Sequence, residues 1–138
     1  MISERRLPLA PVRQAHPGAL TAKFFRGLGD ATRVRVLRLL EDGERTVSEL
    51  RAVIGIEQGR LSSHLACLRW CGFVATRRDG RRVYYSLRDP RVLRLLTLAD
   101  EFLDEHGDHV DVCRVVAREL APARGGHPKQ EDCDDRTD

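Results

Sequence analysis

Residues 46–74, TVSELRAVIGIEQGRLSSHLACLRWCGFV, decide how this chain folds. Thr46 and Glu49 have the spacing of a capping box: the threonine hydroxyl takes the Glu49 N–H while the glutamate reaches back to Thr46, so a helix starts at Val47. VSELRAVI is then a short helix that Gly55 ends, because a left-handed cap costs glycine least. A longer helix is expected over 56–71, with Leu61, Leu65 and Leu68 turned inward and Gly72 as its stop. Two helices joined by a few residues around a glycine make a helix-turn-helix.

The flanks extend this reading. In 73–87, FVATRRDGRRVYYSL, strand-favouring residues surround Asp79-Gly80, the dipeptide of a type I′ turn, which predicts a hairpin. Upstream, ALTAKFFRGLG (19–29) places Leu20, Phe24, Phe25 and Leu28 at helical spacing. Asp30 then caps ATRVRVLRLL, with Val34, Leu37 and Leu40 on one side, and EDGER (41–45) is a break. Downstream, 89–107 opens with a cap and a first-turn proline, then runs apolar at 92, 95, 96, 99, 102 and 103. Past Gly107 the pattern weakens, and HVDVCRVVAREL (109–120) is expected as one more short helix. The order predicts a mainly α (α+β) winged helix-turn-helix, with five to six helices and one β-hairpin wing. The expected organisation is a flexible arm (1–17), a DNA-binding and dimerisation domain (18–106), a helical segment (107–120) and a disordered tail (121–138).

A chain of 138 residues has room for one domain. No apolar run approaches the roughly 20 residues of a membrane span, and the opening MISERRLPLAPVRQAHPG lacks a signal peptide's apolar region. A cytoplasmic protein with no membrane contact is expected, where thiols stay reduced and four cysteines are not a disulfide framework. Net charge is only +3, yet Glu57 to Arg88 holds seven arginines against two acids. Such a basic middle in a near-neutral chain points to a polyanion.

The helix-turn-helix says where that polyanion sits. Its second helix enters the major groove and offers its N-terminal side chains to base edges. Here that end carries Gln58, Arg60, Ser62, Ser63 and His64, of which Gln suits adenine and Arg suits guanine, while Ser and His reach bases or phosphates. Gly59 is expected to let the backbone approach DNA. The hairpin tip carries Arg77, Arg78, Arg81 and Arg82, suited to phosphates or a minor groove. Arginine density alone would mean no more than a solvated face; turn, polar helix start and basic hairpin together mean DNA binding.

These residues resemble the ArsR/SmtB family of metal-responsive winged-helix repressors. The likeness rests on LGDATRVRVLRLL, TVSEL, LSSHLACLRWCGFV and RDGRRVYYSL, and spans about residues 20–105. It implies a homodimer formed by the first and last helices; the apolar stripe of the last helix, too wide for packing on one side only, then predicts Leu95, Leu96, Ala99 and Phe102 at the interface with Phe24 and Phe25 of the first. It also implies that the apo dimer binds double-stranded operator DNA, an inverted repeat, and that an inducer releases it. One family metal site uses a C-V-C pattern in the third helix, where this chain has Thr46-Val47-Ser48. Another uses a carboxylate and histidines of the last helix, where this chain has Asp89, Arg91, Phe102 and Glu105. Neither set survives.

What remains, Cys67-x-x-x-Cys71, resembles the fourth-helix pair of the cadmium- and lead-sensing CmtR subgroup, in which a third cysteine comes from the C-terminal region; Cys113 takes that place here. Four residues nearly complete a helical turn, so Cys67 and Cys71 share a face. Sulfur ligands select soft ions: Cd(II), Pb(II) or Hg(II), with As(III) also within range. A lone pair of this kind is as often two small core residues. His106 and His109 are rival ligands near Cys113, and Cys133 in EDCDDRTD is expected to hang in solvent. The alternative is a thiol-based redox repressor on the same scaffold, since Arg69 would favour a thiolate nearby, although i, i+4 cysteines suit a disulfide poorly. No nucleophile–base set, phosphate loop or C-x-x-C motif points to an enzyme.

Overall fold

The computed structural model describes residues 17–113 of the chain. Helix α1 (Ala19–Leu28) leads to α2 (Ala31–Leu39), capped by Asp30 Oδ1 accepting from the Arg33 N–H at 3.0 Å. A 3-10 turn (Leu40–Asp42) and a two-residue strand β1 (Arg45–Thr46) precede α3 (Val47–Ile54) and α4 (Gln58–Trp70). Strands β2 (Val74–Asp79) and β3 (Arg82–Leu87) form the wing, and α5 (Arg91–Asp111) follows. The fold is a winged helix-turn-helix: five helices and a three-stranded antiparallel sheet among the described residues.

The capping box forms as the spacing predicts, with Thr46 Oγ1 accepting at 3.2 Å and Glu49 Oε2 accepting the Thr46 N–H at 2.9 Å. Gly55 ends α3 at φ 75. One core then joins the elements: Val36 and Leu37 of α2, Leu50 of α3, Leu61, Leu65 and Leu68 of α4, all fully buried. Burying each such leucine is worth about 1.5–3 kcal/mol, so α4 is anchored by its apolar stripe and not by propensity.

Four expectations change. The wing turn is not the type I′ Asp79-Gly80. Asp79 pairs with Arg82, so Gly80 and Arg81 are the central residues. Gly80 has φ 61 and no described non-glycine residue has positive φ, which fits a II′ turn with glycine first. The break at 41–45 contains the start of β1, whose Arg45 and Thr46 pair with Tyr85 and Tyr84; two residues are too few for alternation to show. Helix α4 starts at Gln58, not Ile56, because Glu57 is its N-cap. Finally, α5 passes through Gly107 to Asp111, so the boundary at 106/107 falls inside one helix. An interior glycine costs about 1 kcal/mol, which a 21-residue helix absorbs. The rest of the segment to residue 120, the tail 121–138 and nearly all of the arm lie outside the described residues, as does Cys133. No described helix is long and apolar enough to cross a membrane.

Candidate nucleic-acid interface and thiol pair

The start of α4 is built around Glu57. Its carboxylate accepts the N–H groups of Gly59 at 2.8 Å and Arg60 at 3.1 Å, and these bonds lower its pKa. A Cβ on Gly59 would stand 3.0 and 3.1 Å from the two Glu57 oxygens. Gly59 therefore clears room for the cap, a local reason beside the close approach to DNA expected from sequence. Gln58, Arg60, Ser62 and Ser63 are all exposed on this first turn and a half, with Ser63 Oγ bonded back to the Gly59 carbonyl at 3.1 Å. The sequence reading missed Glu57; an acid just before a polar helix start was the available signal.

His64 stands apart from that set. Only 17% of its side chain is exposed, and Nδ1 lies 3.5 Å from both Asp30 Oδ1 and the Arg33 guanidinium. Burial pushes its pKa below the usual histidine range, opposed by Asp30 and helped by Arg33 and Arg60. A neutral ring accepts from Arg33; a protonated one can only donate, and Asp30 is the acceptor at hand. His64 therefore orients α4 against α2. Arg33 completes the joint: its Nε and NH2 donate to the carbonyls of Gly27 at 2.8 Å and Arg26 at 3.1 Å, the last turn of α1.

The wing divides likewise. Arg78, Arg81 and Arg82 are exposed at the tip. Arg77 instead bonds Glu44, with Nε to Oε2 at 2.9 Å, and its guanidinium lies 4.5 Å above the Tyr84 ring. That pairing lowers the Glu44 pKa and raises that of Arg77. Arg77 thus links the wing to the turn before β1 while its side chain stays about half exposed. Arg60 on α4 and the three tip arginines form an exposed basic surface, and Arg77 is exposed beside it in its pair with Glu44.

Cys67 and Cys71 sit at the other end of α4. Cys67 is buried and Cys71, the C-cap, is half-buried; the Cys71 N–H bonds the Cys67 carbonyl at 2.9 Å, so the two remain one turn apart. Cys71 borders a groove of about 800 Å³ lined also by Phe24, Phe73, Val92, Leu95 and Leu98. Cys113 borders a different cavity of about 450 Å³ with Phe102, His106, His109 and Val110, at the far end of α5. Among the described residues no three His, Cys, Asp or Glu side chains gather as a metal site, so one protomer does not bring Cys113 to the pair. Asp89 is held by Arg91, which keeps its pKa at about 2, so that carboxylate is committed to an ion pair.

Helix α5 shows which residues are available to a second subunit. Leu98, Phe102 and Leu103 are exposed, as is Phe25 of α1, while Ala99 is exposed and Leu95 and Phe24 are half-buried. Leu96 is different: at 6% exposure it belongs to the core of its own chain. The sequence reading placed it at the dimer interface because a stripe shows which side is apolar, not which half of that side the protomer itself covers.

Residues 30–76 match the family model described as bacterial regulatory protein, arsR family. The chain is 42% identical over 113 residues to a probable mercury resistance operon repressor of Streptomyces lividans, covering 82% of this chain and 90% of that one. It is 41% identical over 75 residues to the transcriptional regulator CmtR of Mycobacterium tuberculosis, covering 54% and 64% respectively. A homodimeric winged helix-turn-helix DNA-binding domain from Mycobacterium bovis, solved in solution, superposes with a TM-score of 0.59 at 30% identity, covering 77% of this chain and 91% of that one.

Proposed function

From the premise that the chain belongs to the ArsR/SmtB family of DNA-binding transcriptional repressors, not of enzymes, we propose that it is a soft-metal-responsive repressor whose inducer binds at Cys67 and Cys71. The apo homodimer holds an inverted-repeat operator, reading bases with Gln58 and Arg60 and gripping phosphates with Arg78, Arg81 and Arg82. The observation that carries this reading is the cysteine pair itself. Two sulfurs one turn apart end the same helix that begins with the exposed polar turn, so the sensing and DNA-facing ends share a rigid element.

Two thiolates are too few for the three-sulfur site that the CmtR-like pattern implies, and among the described residues of one chain no third ligand gathers beside them. A dimer supplies it. If the two α5 helices cross antiparallel about the exposed Phe102, Cys113 of the partner subunit comes level with Arg91, since each lies eleven residues from Phe102. That is the end of α5 that borders the Cys71 groove. An all-sulfur site of this kind selects Cd(II), Pb(II) or Hg(II), with As(III) a further inducer. The relatives named for a mercury operon and as CmtR agree with this class.

The test is an operator gel shift repeated against Cd(II), Pb(II), Hg(II), As(III), Zn(II), Ni(II) and peroxide. Release by the thiophilic ions at micromolar levels supports the proposal. Release by peroxide alone would replace it with the redox repressor.

A further inference from the structure

The thiol of Cys71 rests directly on the backbone of α1. A Cβ built on Gly27 would lie 3.2 Å from Cys71 Sγ and 3.0 Å from Cε2 of Phe73. Gly27 is the one buried residue of α1, and Phe73 is itself 4% exposed, so the contact is tight on the Phe73 side. The missing side chain lets α1 close onto the end of α4 here, and an added methyl group would have to push the Phe73 ring or the Cys71 sulfur aside by a few tenths of an ångström. The same turn is held from its other side. The carbonyls of Arg26 and Gly27 take two bonds from Arg33, whose remaining nitrogen reaches His64 on α4. One turn of α1 thus touches α4 twice, at Cys71 directly and at His64 through Arg33.

We propose that this turn transmits occupancy of the thiol pair: Gly27 seats Cys71 Sγ in the DNA-binding state, and Arg33 passes any displacement of that seat to His64 and so to the tilt of the recognition helix. The inference rests on Cys67 and Cys71 being the inducer site. To share an ion with Cys67, which does not line the Cys71 groove, the Cys71 sulfur either leaves its seat or admits the ion beside it. Both change the spacing between α1 and the turn after α4. Because α1 also carries the exposed Phe25 and the half-buried Phe24, the same displacement reaches the subunit interface. Gly27 and Arg33 are positioning residues; neither is expected to touch the ion.

Two variants test the path. In Gly27→Ala the added methyl group occupies the seat without any ion. Metal-free operator affinity should fall about tenfold, within the usual range of allosteric coupling, while the Cd(II)–thiolate ultraviolet band keeps its full intensity. Arg33→Lys keeps the charge but cannot hold two carbonyls and His64 at once. It should bind Cd(II) with the full band, yet the ratio of metal-free to Cd(II)-loaded operator affinity should fall toward one. Circular dichroism melts establish that each variant is folded; if Gly27→Ala is not, Arg33→Lys decides. A folded Gly27→Ala with parental metal-free affinity, or an Arg33→Lys with the parental affinity ratio, overturns the proposal. Failure of the site itself is read separately: a Cys67→Ser/Cys71→Ser protein that keeps the thiolate band and the parental ratio removes the premise, whatever the α1 variants do.

Discussion

Arg77 is bonded to Glu44, thirty-three residues earlier, and this ion pair ties the base of the wing to the turn before β1. Arg81 in the wing turn and Arg82 next to it are exposed beyond that pair. Similar side chains on one hairpin therefore have different work. Arg81→Ala with Arg82→Ala should weaken binding to every DNA sequence and lower the salt slope by roughly one unit for each phosphate left without its arginine. Arg77→Ala should leave that slope nearly unchanged and lower the melting temperature slightly, since exposed ion pairs contribute about 0–1 kcal/mol. Filter-binding at several salt concentrations separates the two; equal slopes for parent and tip variant would contradict the assignment.

Base preference should move with α4 alone. Exchanging Gln58 or Arg60 for Ala should relax selectivity at one operator position by about 1–3 kcal/mol while non-specific affinity changes little. Selection from a randomised operator pool would show this. An unchanged consensus after both substitutions would place base reading elsewhere.

The subunit interface can be addressed without disturbing the core. Leu98 is 61% exposed and Leu96 only 6%. Leu98→Asp should give a folded monomer that has lost operator binding, because a single half-site binds weakly. Leu96→Asp should unfold the chain, since it buries an unpaired charge. Sedimentation and thermal melts together read both. A Leu98→Asp protein that stays dimeric at micromolar concentration would remove α5 from the interface.

His64 sets a pH dependence of definite sign. Its folded pKa lies below the ordinary 6.5, chiefly through burial, so the unfolded chain takes up a proton first. Its neutral form is fully accommodated above about 6.5, and stability is lost as pH falls from there toward the lower folded value. Operator binding should weaken over the same interval, because a protonated ring no longer accepts from Arg33. His64→Gln should flatten this part of both profiles. A parental acid limb in the variant would assign it to other groups.

The only tryptophan, Trp70, precedes Cys71 and is 68% exposed, which makes it a reporter for the thiols. Hg(II) should quench its fluorescence, with affinity rising with pH because each ligating thiol must first lose a proton. Cys67→Ser and Cys71→Ser should each abolish metal-dependent release while leaving apo operator binding intact. Cys113→Ser should weaken release, and Cys133→Ser should change little. Full quenching and full release in the Cys67/Cys71 double variant would refute the site.

Much of this fold is legible from neighbours a turn apart. Thr46 with Glu49, Asp30 before α2, Gly55 after α3 and the Leu61, Leu65, Leu68 stripe are interactions over three to seven residues, and their spacing is written in the chain. The exposed start of α4 and the cysteine pair near its end follow from the same periodicity. Where the signal was short or shared it misled: β1 has two residues, the wing's turn moved by one position, and Gly107 looked like a stop within a helix that could absorb it.

The sequence by itself thus determined the elements, their order and the chemical character of each face, because caps, turns and helical stripes are local. Only the tertiary structure decided which polar and small residues act on one another. His64 meets Arg33 across thirty-one residues, Arg77 meets Glu44 across thirty-three, and Gly27 meets Cys71 across forty-four. Contacts that distant leave no periodic mark, and a side chain's donors and charge are the same whether it faces DNA or a neighbouring helix. Packing chose between those fates, burying Leu96 in its own protomer, turning His64 inward against α2, pairing the exposed Arg77 with Glu44, and leaving Gln58, Arg60, Arg81 and Arg82 in solvent.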